Sequence, residues 1–430
     1  MAVPIVTWYR SATLQIGYQA RLNDFPVVSA IIFKGRNLSD QVIETIESTL
    51  TGVRQYHPFS EMVLLDSAYE KLLFEYFDEI HDLSQTNLGL SIVCTDTFFN
   101  LTCSRYWELI ARNGSKNLAL SFLEEICKLV DKWEMKRKGR VHKGTPYFFL
   151  TFVYREMGDI DSAFAAAFKA IREDQKSSDP LFGKGKYKEA PAYKYVTIID
   201  DKSNFLYETV IQLRSLINTY VQEFNTKINP NFSINDLDSK FLRGNKDLEN
   251  VAYIFVYTVE VIKKYLEQLH TLPANDFYKI KNLQTIFNLC LVVDKILEHK
   301  FKRTFKRNVR GRDMCISDGV VLLSAKKGWI PTLTADETRN PRALIGKISP
   351  TISDDVGKCV KDLILNPIPF NYVTLAATTP VTTEFRQMLL AHKLRNEGAH
   401  SLEKQAILVS KYKEIVEHLM FAIFIAVDAL

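Results

Sequence analysis

Residues 394–401 read LRNEGAHS and gather an arginine, an asparagine and a histidine around one glycine. A histidine ring exchanges protons near neutral pH, whereas a guanidinium is a permanent, planar cation. Arg395 and His400 thus offer a proton carrier and a fixed positive charge, the two groups needed where negative charge develops in a reaction. Asn396 adds an amide that can orient the imidazole or bind an anion. The competing reading is a polar corner between two helices with no chemistry of its own.

Such chemistry requires elements that bring the two tips together. Thr382 or Thr383 suits the cap of a helix running EFRQMLLAHKLRN, with Phe385, Leu389 and Leu390 facing inward. Gly398 suits its end, because glycine accepts the left-handed conformation found there. Ser401 then suits the cap of LEKQAILVSKYKEIVEHLMFAIFIAVDAL, read as one helix to residue 430. Arg395 falls in the last turn of the first helix and His400 at the entry of the second, so both tips point to one small volume. A neighbouring guanidinium disfavours the imidazolium, which keeps His400 a neutral base. His392, three residues before Arg395, either lines that volume or faces solvent. The same spacing recurs from Arg137 to His142 in RKGRVH, within the basic run KWEMKRKGRVHK, which reads as a loop.

RNEGAH resembles the Arg-polar-x-x-x-His signature of HEPN-domain ribonucleases, with Asn396 in the frequent second position. The flanking pattern is similar too: a helical bundle over 245–430, with the motif at the start of the last long helix. LVVDKILEHK (291–300) resembles the stretch where that family often carries an acidic residue, here Asp294. The resemblance implies cleavage of single-stranded RNA without metal or cofactor. The ribose 2′-hydroxyl attacks the adjacent phosphate and leaves a cyclic phosphate end, with His400 and Arg395 as the working groups, Asn396 beside them, and Asp294 and His392 in support. It also implies a homodimer whose two motifs meet across a two-fold axis, and a role in toxin, abortive-infection or CRISPR-associated defence. No N-terminal βαβ unit with a glycine-rich loop is legible, which argues against the cyclic-oligonucleotide-regulated CRISPR type.

HKFKRTFKRNVRGR (299–312) is the densest positive stretch of the chain. Lys302, Arg303, Lys306 and Arg307 can neutralise phosphates, and the interleaved Phe301 and Phe305 can stack on unpaired bases. The alternative is a solvated loop anchored by those two rings.

The rest of the chain reads as mainly α. With 430 residues, 47% of them hydrophobic and 24% charged, it suits two or three domains with buried cores. A net charge of +5 does not by itself demand a nucleic-acid partner. Six cysteines without a CxxC pair suit buried free thiols in a reducing cytosol better than disulfides or zinc. The first residues lack a signal peptide's pattern, and no apolar run is long enough for a bilayer, so the expectation is a soluble cytoplasmic protein with no membrane partner.

Helical periodicity marks 38–50, 68–83 and 118–135, while 29–33 and 90–94 are the strand candidates. Residues 145–174 read as a helix hairpin: Thr145 and Pro146 open it, Gly158 and Asp159 turn it, and Ala163, Ala167 and Ala170 permit close packing. Tyr147, Leu150, Tyr154, Gly158, Ala163 and Ala170 resemble one tetratricopeptide repeat, although Ala167 stands where a bulky aromatic is usual and no second copy is legible. Polar residues 174–194 read as a loop, and 225–247 as the best domain boundary. The expected organisation is a helical regulatory or interaction region over 1–235 and a HEPN-type bundle over 245–430. A mixed insertion at about 302–380 interrupts the bundle, and the N-terminal helices await a protein or ligand regulator. The competing function, from another class, is a non-catalytic scaffold that dimerises through the bundle and holds a protein partner.

Overall fold

Leucine, isoleucine, valine and phenylalanine recur three and four residues apart along most of the chain, a spacing that gives a helix one apolar stripe to bury. The outcome is a mainly helical protein. The computed structural model describes residues 116–176, 186–268, 276–309, 311–348, 356–365, 371–373, 378–380, 382–397 and 405–430, with Phe74, Phe77, Asp78, His81, Asp82, Ser84, Gln85, Thr95 and Phe99. The segments 29–33, 38–50 and 90–94 and most of 68–83 lie outside the described residues. The chain forms two compact units, Met1–Ile211 and Gln212–Leu430.

In the first unit, α1 (Lys116–Arg137) buries Ala119, Leu123, Ile126, Val130 and Trp133, one residue per turn on a single face. Helix α1 packs on α2 (Gly144–Glu156), which forms a hairpin with α3 (Ile160–Lys176). Gly158 adopts φ 78°, and the Asp159 amide donates to the Tyr154 carbonyl at 2.9 Å, closing the turn. The Asp159 carboxylate then accepts from the Ser162 amide at 3.0 Å and caps α3. Ala163, Ala167 and Ala170 are fully buried, which lets the two helices approach closely. Within the stretch 174–194 read as loop from its composition, residues 186–189 are instead a 3₁₀ turn, and 191–194 belong to α4 (Pro191–Val196). Proline suits the first helical position, and Tyr193, Tyr195 and Val196 are buried, so packing outweighs the polar composition.

Helix α5 (Tyr207–Lys227) carries the chain into the second unit. The polar stretch 225–247 is folded structure belonging to that unit, upstream of which the division falls. Ser233 and Asp236 make a reciprocal capping box, and a π-helical turn, Asp238–Leu242, follows. Phe232 stacks on Phe424 with ring centres 5.2 Å apart, which anchors the stretch to the core.

The centre of this unit is α7 (Asp276–Asn308), preceded by α6 (Glu249–Gln268). Helix α7 packs against α6, α8 (Ile316–Lys326), α9 (Thr383–Glu397), α10 (Gln405–Ser410) and α11 (Tyr412–Asp428). Two differences from the sequence pattern matter. First, α7 continues through the basic run to Asn308, so residues 302–308 are helix rather than insertion or loop. Second, the last helix is broken: the Lys411 backbone leaves helical geometry between α10 and α11, where the Ser410 hydroxyl donates back to the Ile407 carbonyl at 3.3 Å. Helix α11 is buried on nearly all sides, with Ile415, Leu419, Phe421, Ile423, Phe424 and Val427 inside. Between α8 and α9 lie short helices and a two-stranded antiparallel ladder, Asn371–Val373 with Thr378–Pro380. No helix among the described residues is long and apolar enough to cross a membrane.

Candidate functional site

Arg395 stands in the last turn of α9, where the helix dipole favours a cation. Its side chain is 41% exposed, and its Nε lies 3.9 Å from Oδ2 of Asp294 on α7. That separation is an ion pair rather than a hydrogen bond, so the guanidinium keeps its donors for another acceptor. Asp294 is only 16% exposed. Burial raises its carboxyl above the usual range, while the Arg395 charge pulls it back down. One turn earlier on α7, Cys290 is fully buried, and burial pushes its thiol far up despite the Arg395 charge. A thiol held protonated in this way is no nucleophile.

His392 does not face solvent: it is 6% exposed, and its Nδ1 lies 3.2 Å from Ser317 Oγ on α8 and 3.1 Å from Asn396 Nδ2. Nδ1 thus lies between the Ser317 hydroxyl and the Asn396 amide. Asn396 is itself exposed, yet its amide nitrogen is turned inward to His392 one helical turn before it. Helix α8 can supply Ser317 because Gly319 lies against α7. A Cβ there would stand 2.7 Å from the Leu297 Cβ, so a larger residue would push the helices apart.

The structure therefore brings Arg395 and Asp294 together, and Asn396 and His392 together, on the two adjoining helices α7 and α9. Helix α9 begins as the sequence implied, with the Thr382 hydroxyl accepting from the Phe385 amide at 3.3 Å. It ends at Glu397, and Gly398, His400 and Ser401 lie outside the described residues.

Lys302, Arg303, Lys306 and Arg307 are all exposed along one side of α7. Lys302 is paired with Glu298 at 3.0 Å, whereas Arg303, Lys306 and Arg307 have no carboxylate partner among the described residues. The expected base-stacking rings are not available: Phe301 is 7% exposed and Phe305 2%. Helical spacing decides this, because positions four apart on α7 share its core-facing side. Arg312 is likewise withdrawn from the basic run, covering the Phe305 ring at 4.9 Å and gripping Asp318 with two nitrogens at 2.6 and 2.8 Å.

Asp318 is the feature that a search for charge patterns passes over. It is fully buried and also accepts from the backbone amides of Cys315 and Arg342, both at 3.1 Å. Burial alone would raise its carboxyl, but the bonds from Arg312 and Cys315 hold it below the usual range. A local signal exists: Cys315 and Asp318 have the spacing of a capping box ahead of the apolar run GVVLL. Nothing local marks Ser317.

The second Arg-x4-His match has no convergent geometry. Arg137 pairs with Asp78 at 2.8 Å, and His142 Nε2 contacts Asp174 at 2.8 Å. Among the described residues no cluster of histidine, cysteine or carboxylate side chains is arranged to hold a metal ion. Cys127, Cys290 and Cys359 are buried free thiols, and Cys315 is a half-buried one. No protein family, curated protein or solved structure matches this chain.

Proposed function

We propose that the second unit is a HEPN-type endoribonuclease that cleaves single-stranded RNA as a homodimer. The observation that carries this reading is the meeting of Arg395, at the exposed end of α9, with Asp294, buried on the adjoining α7. In this reading His400 removes the proton from a ribose 2′-hydroxyl. The oxygen–phosphorus bond then forms as the bond to the 5′-oxygen breaks, and that oxygen takes the proton back from His400, leaving a cyclic phosphate and a 5′-hydroxyl end. Arg395 offsets the charge that develops on the phosphate. Asp294 positions Arg395, while Ser317 and His392 hold Asn396 at the rim. The exposed cations of α7 supply backbone affinity without base stacking. Two copies bring their motifs together across a two-fold axis, and the α2–α3 hairpin of the first unit serves a protein or ligand regulator in a cytoplasmic defence or toxin role.

The test is labelled single-stranded RNA incubated in EDTA with wild-type protein and with Arg395→Ala and His400→Ala. Cleavage by the wild type alone, with cyclic phosphate ends on the product, is the expected result. Equal cleavage by all three proteins sinks the assignment.

A second reading, a scaffold that binds a protein through the first unit, is favoured by one feature. A cleft of about 340 Å³ between α1, α2 and α3 is lined by Glu124, Lys128, Asp131, Tyr154 and Lys169.

A further inference from the structure

The second unit holds another concave feature, a groove of about 730 Å³ between the turn 239–251 and the face of α7 beyond Asp294. Its volume is in the range of small-molecule sites. Five cations line it, Lys240, Lys295, Lys300, Lys302 and Arg303, against the two carboxylates Asp247 and Glu298. Glu298 is already engaged, 2.7 Å from Lys295 and 3.0 Å from Lys302. Arg303 has no carboxylate partner among the described residues.

At the inner end Lys300 donates to the Leu430 main-chain oxygen at 2.8 Å. Burial lowers its ammonium's affinity for the proton, and the charges of Lys326, Lys240 and Lys327 lower it further. Asp428 lies 3.8 Å from Lys240 and 2.8 Å from Lys327, and Asp236 lies 3.7 Å from Lys240. Two carboxylates thus face four ammonium groups, and a bound anion would offset the excess beside Lys300.

The remaining lining is polar. His299 Nε2 lies 2.6 Å from Asn245 Nδ2, and its Nδ1 lies 3.9 Å from the Asp247 carboxylate. Gly244 makes the wall possible, since a Cβ at that position would fall 1.6 Å from the Ser239 carbonyl oxygen. Among the described residues the lining contains no phenylalanine, tyrosine or tryptophan on which a base could stack.

We propose that this groove binds a compact oligophosphate anion, the class that includes nucleoside polyphosphates, through Lys240, Lys300, Lys302 and Arg303. Lysine offers point charges and arginine a two-pronged donor, and phosphate oxygens accept both. The cations, converging on a bounded cavity, fit a small multiply charged ligand better than an extended strand. The site shares Lys302 and Arg303 with the cations that the ribonuclease reading gives to RNA, but it needs neither His400 nor RNA cleavage.

The experiment is calorimetric titration of the full chain with inorganic tripolyphosphate, beside a short single-stranded oligoribonucleotide. Saturable one-to-one binding of tripolyphosphate is expected, weakened about tenfold or more in Arg303→Ala and further in Lys240→Ala/Arg303→Ala. Arg395→Ala should bind as the wild type does, even where it no longer cleaves RNA, which separates this site from that activity. Thermal unfolding confirms that each variant is folded, and Arg303→Gln replaces any that is not. No saturable binding of tripolyphosphate, unchanged affinity in the folded double variant, or binding of the oligoribonucleotide alone would each overturn the proposal.

Discussion

RKGRVH and RNEGAH carry the same spacing of arginine and histidine, and the chain treats them differently. In the first, Arg137 and His142 each contact a separate carboxylate at 2.8 Å, Asp78 and Asp174. Those contacts tie the end of α1 and the segment before α2 to other parts of the first unit, so the pair holds structure together. In the second, Arg395 meets Asp294 at only 3.9 Å, beyond hydrogen-bond reach, although its side chain is less exposed than that of Arg137, 41% against 53%. Spacing nominates residues, while the carboxylates around them decide whether a cation is locked or available.

The sharpest way to break this comparison is to mutate both pairs and measure RNA cleavage. Arg395→Ala and His400→Ala should each lower the rate by about 10²- to 10⁴-fold, the usual worth of a positioned acid, base or charge. Arg137→Ala and His142→Ala should cleave at the wild-type rate, with His142→Ala losing on the order of 1 kcal/mol of stability in urea unfolding. Loss of cleavage in a folded His142→Ala variant would erase the distinction.

Next in size is Asp318→Ala. It strips the Arg312 guanidinium and two backbone amides of their acceptor in a fully buried place. A loss of about 3–5 kcal/mol in chemical denaturation is expected. A loss below about 1 kcal/mol would mean that α8 does not depend on this hub to hold Ser317 against His392.

Replacing Lys302, Arg303, Lys306 and Arg307 together with Ala tests the phosphate-binding role of α7. Binding to single-stranded RNA should weaken, and the slope of log affinity against log salt should flatten by about 0.7 for each phosphate no longer neutralised. Phe301→Leu and Phe305→Leu should leave the salt slope unchanged, because those rings are buried.

The smallest effect is a pH dependence. An ordinary aspartate titrates near 3.8, and burial holds the Asp294 proton to higher pH in the folded protein. The folded state therefore binds this proton more tightly than the unfolded chain does. Its contribution to stability is fullest at or below pH 3.8 and declines as the pH rises through the folded value. Asp294→Asn should remove that decline, and parallel wild-type and variant curves of unfolding free energy against pH would contradict it.

Much of this geometry follows from short-range rules that can be read in the residues themselves. The α2–α3 hairpin depends on Gly158 accepting a positive φ, on Asp159 capping, and on alanines at helical spacing, all within a few residues of one another. The start of α9 at Thr382 has the same local origin. The break at Lys411 and the helix at 191–196 were not legible in this way, since composition alone does not say which polar stretches are covered by packing.

By itself the sequence determined a helical chain, its hairpin turn, the cap of α9, and the placing of Arg395 in that helix's last turn. Backbone hydrogen bonding and side-chain periodicity act over three or four residues, so these features need no knowledge of the fold. Only the tertiary structure decided that Phe301 and Phe305 go inside, that Arg312 belongs to Asp318, and that His392 turns from solvent to Ser317. It alone set the distance between Arg395 and Asp294 and gathered Lys240 and Lys300 about one groove. Those outcomes depend on which helices adjoin α7 and how closely, a property of packed surfaces far apart in the chain that no single stretch encodes.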